Sequence, residues 1–258
     1  MITRGLLSLI TFSEKRSGIL IMASEKPITL DEIKEHFNVS SPEILPQIKK
    51  LEDGNLLVRN ADRTYELTDI GRVVSKPFLE FCETIDLFEE DMEFWLTHDV
   101  QGIPDEFLYR LKDIGKYHVV RSSPTNIFEP HEEFMSALIT SKKIRGVSPI
   151  FHPEYPAAFE ALAAKGKQIS LIISASVYER IKVEHQNELQ IFLDNSELMV
   201  YGGDIGLAFT VTDSLLSLGL FDNRGVYDTN QDLMSYEKSA LKWGDDLFKY
   251  FKKQSRKV

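Results

Sequence analysis

The chain has 258 residues, of which 43% are hydrophobic and 27% charged, an ordinary composition for a globular protein long enough for two domains. It contains no run of about 18 apolar residues, so no membrane-spanning helix is expected. The apolar N-terminal stretch is too short for a signal peptide, lacks a cleavage pattern and continues in helical period to Met22, which predicts the first helix of the chain. The single cysteine, Cys82, excludes an internal disulfide and is consistent with a reducing cytoplasm.

The formal net charge of −10 would argue against a DNA-binding protein if it were spread evenly along the chain. Residues 1–75 carry 10 Lys and Arg against 11 Asp and Glu, a net charge of −1, and residues 76–258 carry 20 against 29, a net charge of −9. The acidic excess therefore lies outside the N-terminal part. A near-neutral module still binds DNA weakly, because neutralisation of phosphates supplies most of the non-specific affinity. Two copies held together would compensate.

The clearest local pattern is TLDEIKEHFNVSSPEILPQIKKLEDGNLLVRNADRTYELT, residues 29–68. Thr29 and Glu32 have the spacing of a capping box at the start of a first helix. Ser40 or Ser41 then caps a second helix, and apolar residues recur in both helices at spacings of three and four. Two short strand patterns around a turn-rich tip follow. This order of elements is typical of a winged helix-turn-helix, whose usual partner is DNA.

The helix at residues 41–53 is the predicted DNA-recognition helix, with its N-terminal residues nearest the bases. The candidates for base or phosphate contacts are Ser40, Ser41 and Gln47, and the candidates for contacts with the DNA backbone are Lys49, Lys50, Arg59 and Arg63. Glu43 either accepts a hydrogen bond from a cytosine amino group or simply favours the helix N-terminus. For each of these contacts the alternative is an ordinary solvated face.

A linker helix is predicted after the hairpin, interrupted only by Pro77. Its apolar residues recur at the spacings of three and four that are typical of a seam between helices. These residues are Phe78, Phe81, Ile85, Phe88, Met92 and Trp95. Two interpretations stay open, because fewer than three heptads do not separate them. Either the helix packs on its own C-terminal domain, or it forms a homodimer interface through Phe81, Ile85, Phe88, Met92 and Trp95.

The predicted fold class combines α+β and α/β parts. A winged helix-turn-helix occupies residues 1–73, the linker helix residues 74–98, and an α/β domain with a mixed sheet residues 99–258. In the last part the predicted helices are 103–114, 130–141, 155–165, 176–186 and 231–253, and the predicted strands are 117–121, 143–150, 168–174, 189–193, 197–201, 207–211 and 215–221. The early alternation of strands and helices implies parallel strands with right-handed crossovers, and the later strands turn antiparallel.

The sequence carries no recognisable catalytic or metal site. Its six histidines include no H-x-x-x-H pair and there is no second cysteine, which excludes a structural zinc site. No G-x-S-x-G motif is present, and Cys82 in the linker helix is better explained as a packed thiol than as a nucleophile. The glycine-rich residues 202–206 are not followed by a helix, so a hairpin turn is predicted there rather than a phosphate-binding loop. We therefore expect no enzyme activity, no cofactor and no metal.

Small hydroxyl residues follow three predicted strands of the α/β domain. In open α/β sheets, ligands bind at the carboxyl ends of strands, near helix N-termini. The predicted ligand contacts are Arg121, Ser122, Ser148, His152, Ser174 and Ser176. One Arg and one His among hydroxyl groups suit an anionic or polyhydroxylated small molecule. The alternative is that the serines cap the following helices. Arg121 is the hardest of the set to explain as a cap and is the favoured contact.

Three stretches cover much of the chain and carry a family resemblance: LLSLITFSEKRSGILIMASEKPITLDEIKEHFNVS, KYHVVRSSPTNIFEPHEEFMSALITSKKIRGVSPIFHPEYP and ELMVYGGDIGLAFTVTDSLLSLGLFDNRGVYD. They resemble the archaeal winged-helix transcriptional regulators of the methanogenesis regulatory protein (filamentation regulator) family. The resemblance implies a winged helix joined to a ligand-binding middle domain, itself similar to the phospholipase D-like fold of archaeal sugar-responsive regulators. That enzyme family uses an H-x-K motif, which this chain lacks, so the resemblance implies a scaffold without the chemistry.

These observations favour a cytoplasmic, homodimeric, DNA-binding transcription regulator. Its predicted partners are double-stranded DNA and an unknown small-molecule effector, with no membrane. A ligand in the C-terminal domain would change the relative setting of two winged domains, provided that it binds the two settings with different affinity. A protein–protein adaptor is the alternative, because winged helices also serve as interaction modules and the N-terminal part is near neutral. An enzyme fused to a winged helix is disfavoured by the missing catalytic residues.

Overall fold

A computed structural model describes residues 4–122 and 131–258. The chain forms two compact units, Met1–Glu83 and Thr84–Val258. The division lies inside the predicted linker helix, upstream of the predicted boundary after residue 98. The physical reason is that Leu87, Phe94 and Trp95 are buried in the core of the second unit, which makes the end of the helix part of it.

The first unit consists of helices and one hairpin. Its helices are α1 (Arg4–Thr11), α2 (Glu14–Glu25), α3 (Leu30–Phe37), α4 (Ser41–Asp53) and most of α5 (Asp69–Glu90), which continues into the second unit. Its strands β1 (Leu57–Arg59) and β2 (Tyr65–Leu67) are paired antiparallel. The single N-terminal helix predicted from the sequence is therefore two helices. They separate because Ser13 leaves helical geometry and caps α2, where its side chain accepts a hydrogen bond from the Arg16 backbone N–H.

Helices α3 and α4 begin where their caps predict. Thr29 with Glu32, and Ser40 with Glu43, form capping boxes at the two starts. Asn38, in the turn between the helices, has a φ of +51°, a left-handed conformation that Asn tolerates well. The core that α3 and α4 share with α2 and the hairpin is almost fully buried: Ile19, Leu20, Ile33, Ile44, Ile48, Leu51 and Leu56. One side of α4 is thereby held inward, and the opposite side is left open.

The predicted linker helix is interrupted near its end. Helix α5 ends at Glu90, and α6 (Met92–Thr97) starts immediately afterwards. The carboxylate of Asp91 caps α6 by accepting a hydrogen bond from the Phe94 backbone N–H at 3.1 Å. A side-chain acceptor competes with the continuing helix at this point, which explains why the break occurs here.

The residues of the predicted seam have different environments. Trp95 is 6% exposed, and its indole N–H donates to the Leu87 carbonyl at 3.2 Å and to the Tyr117 hydroxyl at 2.7 Å. Phe88 packs against the same core. Trp95 and Phe88 therefore pack in the core of their own unit, which corrects their assignment to a homodimer interface. The exposed members of the predicted interface are Phe81, Ile85 and Met92.

The second unit alternates strands and helices. After α6 its helices are α7 (Asp105–Leu108), α8 (Glu132–Thr140), α9 (Tyr155–Ala164), α10 (Ala175–Glu184), α11 (Gln186–Asn195) and α12 (Lys238–Lys253), with short 3-10 helices at Val100–Gly102 and Leu111–Ile114. Its strands are β3 (His98–Asp99), β4 (His118–Arg121), β5 (Lys143–Ser148), β6 (Gln168–Ser174), β7 (Glu197–Tyr201), β8 (Leu207–Val211), β9 (Leu216–Asp222), β10 (Gln231–Ser235) and β11 (Ser255–Lys257).

In the described part of the chain these strands form one nine-stranded mixed sheet, which confirms the predicted mixed α/β architecture. The order is β11-β7-β6-β5-β8-β9-β10-β4, with β3 paired to β9. Strands β5, β6 and β7 are parallel neighbours, connected through α9 and through α10 and α11. The other pairs are antiparallel. The carboxyl ends of β5, β6 and β7 therefore lie at one edge of the sheet, where a ligand site was predicted.

Three predicted elements of this unit are wrong. Residues 189–193 are helical, part of α11, because Leu189 and Phe192 bury one helix face. Residues 231–235 are a strand, β10, and not the start of the last helix, because they pair with both β9 and β4. Residues 103–114 hold two short helices in place of one. Helix α8 matches the prediction for 130–141, whose first residue lies outside the described residues.

Both faces of the sheet are covered. On one face α12 packs over the strands, and the indole N–H of the fully buried Trp243 donates to the Phe107 carbonyl at 3.2 Å. The other face holds a second core built from α8, α9, α11 and the parallel strands, with Phe134, Phe159 and Phe192 among its buried residues. No described helix is long and apolar enough to cross a membrane.

Candidate functional site

The open side of α4 is the surface predicted to face DNA. Its exposed residues are Pro42, Glu43, Leu45, Pro46, Lys49, Lys50 and Asp53. Lys49 Nζ lies 3.0 Å from the Asp53 carboxylate, and this hydrogen bond raises the pKa of Lys49. The ion pair neutralises much of the Lys49 charge within the helix itself. Lys50 therefore supplies most of the positive charge on this face.

At the start of α4, Ser40 and Glu43 bind each other. Glu43 Oε2 accepts hydrogen bonds from the Ser40 backbone N–H at 3.0 Å and from the Ser40 hydroxyl at 2.8 Å. These bonds, the backbone one first, lower the pKa of Glu43. The predicted phosphate-contacting hydroxyl of Ser40 is thus engaged in the cap, and the half-buried Ser41 is the first helical residue. A DNA contact by Ser40 would have to share or replace this cap.

Gln47, a predicted base contact, has an internal partner. Arg16 on α2 is buried, and its Nη1 donates to Gln47 Oε1 at 2.8 Å, while its Nε donates to the Leu9 carbonyl. A buried guanidinium requires acceptors, because an unpaired buried charge is very costly. The amide oxygen of Gln47 meets that need and joins α4 to α1 and α2. The amide oxygen of Gln47 is thus engaged internally, and its predicted base contact would have to use the amide N–H groups.

The hairpin presents the remaining two predicted cations. Arg59 is exposed on β1, with its guanidinium 5.8 Å from the centre of the Tyr65 ring. Arg63 is exposed at the tip with a φ of +71°. The tip is shaped by Asp62, whose carboxylate accepts hydrogen bonds from the Thr64 hydroxyl and backbone N–H, and both bonds lower the pKa of Asp62. The hairpin therefore projects arginine side chains from an ordered turn.

In the second unit two adjoining cavities lie beside the carboxyl end of β5. One has a volume of about 100 Å³ and is lined almost entirely by apolar side chains, and the other has a volume of about 110 Å³ and a polar wall. They share the following lining residues: Phe134, Val147, Ser148, Ile150, His152, Tyr155 and Thr210. Because of these shared walls we treat them as one site, called the β5 cavity below. Such a cavity is the default place to look for a small-molecule ligand.

The polar wall of the β5 cavity centres on Asp232 of β10. Burial, and then the negative charge of Asp228, raise the pKa of Asp232 to about 6. His131, just before α8, keeps only 10% of its side-chain surface exposed, and its Nε2 lies 3.5 Å from Asp232 Oδ2 without a hydrogen-bond partner among the described residues. Burial also lowers the pKa of His131. The wall thus combines a carboxylate and a neutral imidazole in a low-dielectric site.

Gly219 on β9 leaves room for this arrangement. A Cβ at that position would lie 2.1 Å from the Tyr227 hydroxyl and 2.9 Å from Asp232 Oδ1. The missing side chain therefore lets the Tyr227 ring lie over the strand, next to the carboxylate. Burial raises the pKa of Tyr227 far above its ordinary value, so it is a neutral hydroxyl. The same burial raises the pKa of Tyr155 across the cavity.

The raised pKa of Asp232 predicts that Asp232→Asn stabilises the protein at neutral pH by on the order of 1–2 kcal/mol, because burial disfavours the charge that Asn lacks. The pKa of Asp232 is higher in the folded protein than in the unfolded chain. The ionised carboxylate therefore lowers the free energy of unfolding fully above about pH 6, and this destabilisation disappears as the pH falls towards about 4. The neighbouring titratable groups are His131, Asp228, Tyr155 and Tyr227. Urea unfolding of both proteins at about pH 4 and pH 7.5 measures the difference. An equal difference at the two pH values would contradict this prediction.

Two of the predicted ligand contacts line the β5 cavity. Ser148 ends β5, and its hydroxyl oxygen accepts a hydrogen bond from the Ile150 backbone N–H at 3.1 Å. The His152 ring stacks on Tyr155 with the ring centres 4.6 Å apart. The carboxyl end of β5 is thus a cavity wall, as the sequence predicts. Binding of a ligand by these side chains stays a prediction.

Arg121, the favoured predicted contact, lies elsewhere. Its Nη2 donates to both carboxylate oxygens of Asp91, at 2.8 Å and 3.0 Å. Strand β4 is at the sheet edge beside β10, and Arg121 is not among the described residues that line either part of the β5 cavity. Arg121 therefore pairs with the residue that caps α6, and the structure does not bring it to the β5 cavity. Its neighbour Ser122 donates its backbone N–H to the Asn230 carbonyl at 2.8 Å.

Of the two serines near the end of β6, Ser174 has the capping role proposed as the alternative, and Ser176 lies in the first turn of α10. The Ser174 hydroxyl accepts a hydrogen bond from the Val177 backbone N–H at 3.4 Å at the start of α10. The Ser174 and Ser176 hydroxyl oxygens are 3.1 Å apart. Neither residue is among the described residues that line the β5 cavity. We therefore remove both from the candidate ligand site.

The residues that give the β5 cavity its polarity are not predicted from the sequence: His131, Tyr155, Thr210, Ser217, Tyr227 and Asp232. Asp232 was hidden by the incorrect assignment of its strand to the last helix. The alternation in QDLMS of polar and apolar residues was the available signal, but it spans too few residues to outweigh the helical spacing that follows. No group of three or more His, Cys, Asp or Glu among the described residues is arranged to hold a metal ion.

Comparison with known proteins gives a consistent result. A family model described as the N-terminal domain of the methanogenesis regulatory protein FilR1 matches residues 5–86, and one described as its middle domain matches residues 127–254. The methanogenesis regulatory protein FilR1 of Methanothrix harundinacea (strain 6Ac) is 28% identical over 252 residues, which cover 95% of this chain and 56% of that protein. The chain thus spans about half the length of this curated relative.

Similar solved structures include two whose sequences differ widely from this one. The structure of TrmBL2, described as an archaeal chromatin protein with a novel mode of DNA binding, has a TM-score of 0.44 at 13% identity and covers 98% of each chain. NucT from Helicobacter pylori has a TM-score of 0.42 at 13% identity and covers 55% of this chain and 99% of its own.

Proposed function

Because this chain belongs to the archaeal family of the methanogenesis regulatory protein FilR1, we propose that it is a DNA-binding transcription regulator that senses a small molecule through its second unit. The observation that carries the DNA-binding part is the succession of α3, a tight turn, α4 and a hairpin around one buried core. This succession supports a winged helix-turn-helix, in which the second helix would enter the major groove. Acting on DNA, such a protein works in the cytoplasm.

In this proposal α4 presents its N-terminal half to the bases and the hairpin tip reaches the sugar-phosphate backbone. Lys50 on the open side of α4 and Arg59 and Arg63 on the hairpin supply the phosphate contacts. These contacts position the module and carry no sequence information, which has to come from base edges. With Gln47 held internally and Ser40 in its cap, Glu43 and Ser41 are the nearest polar candidates for base contact.

The modest charge of the first unit makes a single copy a weak DNA binder. We propose a homodimer, in which two weak contacts act together and the second becomes intramolecular. Helix α5 offers a surface for it, since Ile70, Val73, Phe81 and Ile85 are all exposed. Their spacings of three, eight and four residues keep them on one side of the helix. Met92 and Leu96 add exposed apolar surface on α6.

Sensing requires a ligand that distinguishes two states of the protein. We propose that the β5 cavity is the ligand site, because it combines an apolar pocket with an unsatisfied buried imidazole and a carboxylate. A bound effector would change the relative populations of two arrangements of the DNA-binding units only if it binds one arrangement more tightly than the other. The α5 helix, which runs from one unit into the other, is the covalent route for such a change.

The response of DNA binding to salt tests the proposal. A dimer that neutralises about six phosphates should lose roughly three orders of magnitude in affinity for a duplex between about 50 and 200 mM salt. Fluorescence anisotropy with the full chain and a labelled duplex measures the slope. A protein–protein adaptor, which the exposed apolar Leu45 and Val58 near the proposed DNA surface would suit, should show no such dependence. Absence of any duplex binding at low salt would reject the regulator.

A further inference from the structure

The β5 cavity contains acidic groups and no basic ones apart from imidazoles. Among its described lining residues the charged side chains are Asp232 in the polar part and Glu188 in the apolar part, with no Lys or Arg. No described residue donates a hydrogen bond to the Asp232 carboxylate, and Asp228 adds a second negative charge nearby. The neighbouring His131, with Nε2 3.5 Å from Asp232 Oδ2, is kept neutral by burial, which lowers its pKa, so the ionised carboxylate has no cationic partner among the described residues.

Three acceptors converge on the space beside this carboxylate. They are the Asp232 carboxylate, His131 Nε2 at 3.5 Å from Asp232 Oδ2, and the oxygen of the Tyr227 hydroxyl, which lies with Asp232 Oδ1 within 3 Å of the position that a Cβ of Gly219 would occupy. His131 is nine-tenths buried, and its Nε2 has no hydrogen-bond partner among the described residues. With the proton on Nδ1, this nitrogen is an acceptor. An ammonium group carries three donors and no acceptor, and matches this set.

We propose that the β5 cavity binds a primary amine, with its ammonium group between Asp232, His131 and Tyr227 and its apolar part in the adjoining pocket. The inference rests on the sensing role proposed above and names the chemical class of the effector. It differs from the anionic or polyhydroxylated ligand expected from the sequence, and Arg121, the one Arg of that set, is paired with Asp91 at the sheet edge.

The apolar pocket sets the size of the rest of the ligand. Its walls include the aromatic rings of Phe134, Phe159 and Phe192 and the aliphatic side chains of Leu171 and Ile173. Its volume of about 100 Å³ is of the order of the cavities, roughly 150 Å³, that admit a benzene ring. Because the two cavities share walls, a short chain is enough to join a ring in the apolar cavity to an ammonium group in the polar one. An arylalkylamine of one ring and two or three carbon atoms fits these limits.

Three probes of equal size and different charge test the proposal: 2-phenylethylamine, 2-phenylethanol and phenylacetate. Isothermal titration calorimetry with the full chain at neutral pH should show the amine binding at least about tenfold more tightly than the alcohol, because a charge-assisted hydrogen bond replaces a neutral one. Phenylacetate should bind least of all. Equal or tighter binding of phenylacetate overturns the proposal, and so does the absence of amine binding up to about 10 mM.

Variants test whether the carboxylate of Asp232 is the group that binds the ammonium group of the amine. Asp232→Asn keeps the shape of the side chain and should lower the affinity for 2-phenylethylamine at least about tenfold, with the affinity for 2-phenylethanol changed less than about twofold. Asp204→Asn removes the same charge from an exposed position and should change neither affinity. Circular dichroism confirms that each variant is folded. A folded Asp232→Asn variant with unchanged affinity for the amine overturns the proposal.

The same samples separate this inference from the proposed function. Duplex affinity is measured with and without saturating 2-phenylethylamine. Amine binding that follows the expected pattern but leaves DNA affinity unchanged supports the cavity assignment and rejects the sensing role. Amine binding by a protein that binds no duplex rejects the regulator and leaves the cavity assignment standing. Duplex binding without any amine binding rejects the effector class alone.

Discussion

Replacing Lys50 and Arg63 together with alanine is expected to weaken duplex binding by roughly a hundredfold at low salt, through the loss of two phosphate contacts per module. In a dimer this removes about four contacts, so the slope of log affinity against log salt should become shallower by about three to four. Both side chains are exposed, and alanine keeps the Cβ that Arg63 already carries at its positive φ. Anisotropy titrations at several salt concentrations measure both quantities.

The matched control replaces Lys76 and Lys165 with alanine. Both lysines are exposed and lie outside α4 and the hairpin, on α5 and just after α9. The control loses the same net charge as the test variant, so it reports the general effect of charge on binding. It should retain most of the wild-type affinity and slope. Equal losses in the two double variants would show that α4 and the hairpin are not the DNA-contacting surface.

Replacing Trp95 with alanine is expected to lower the free energy of unfolding of the second unit by about 3–5 kcal/mol. The indole is buried, in edge-to-face contact with Phe88, Phe94 and Tyr117. Its loss leaves a cavity and removes the N–H that donates to the Leu87 carbonyl and the Tyr117 hydroxyl. Urea unfolding followed by far-UV circular dichroism measures the change. A cost below about 1 kcal/mol would be typical of an exposed residue and would return Trp95 to the candidates for the dimer interface.

The exposed members of the same helical pattern should behave in the opposite way. Phe81→Glu combined with Ile85→Glu should cost little stability, because both side chains are exposed, but should convert a dimer to a monomer by placing charges in an apolar interface. Light scattering after size-exclusion chromatography measures the mass. Val183→Glu, at a position that is 81% exposed on α10, is the control and should leave the mass unchanged. A dimer that survives the double substitution has its interface elsewhere.

Local patterns predicted the first unit well because its structure depends on interactions between near neighbours in the sequence. The capping boxes of Thr29 and Ser40 use residues three positions apart, and the stripe of Ile44, Ile48 and Leu51 follows from helical period. The internal bond from Arg16 to Gln47 was not predictable. It joins residues 31 positions apart, and no local rule states which polar side chain will pair with a buried arginine.

In the second unit, prediction failed where pairing partners decide the structure. Residues 231–235 continue a helical spacing of apolar residues into α12, and only the neighbouring strands β9 and β4 make them a strand. The apolar run at residues 189–193 suits a strand by composition, but it covers one side of α11 over the second core. Short apolar segments do not distinguish the two states, because burial satisfies either one.

The sequence by itself determined the order of α3, α4 and the hairpin in the first unit, the presence of a mixed sheet, and the family. All of these follow from periodicity, caps and motifs that are contained in short segments. Only the tertiary structure decided that Trp95 belongs to a core, that Arg121 pairs with Asp91, and that His131, Tyr227 and Asp232 share one cavity. These three residues come from a helix start, a loop and a strand, up to 101 positions apart in the numbering. Their proximity depends on the strand order of the sheet, which long-range hydrogen bonds and the burial of both sheet faces select.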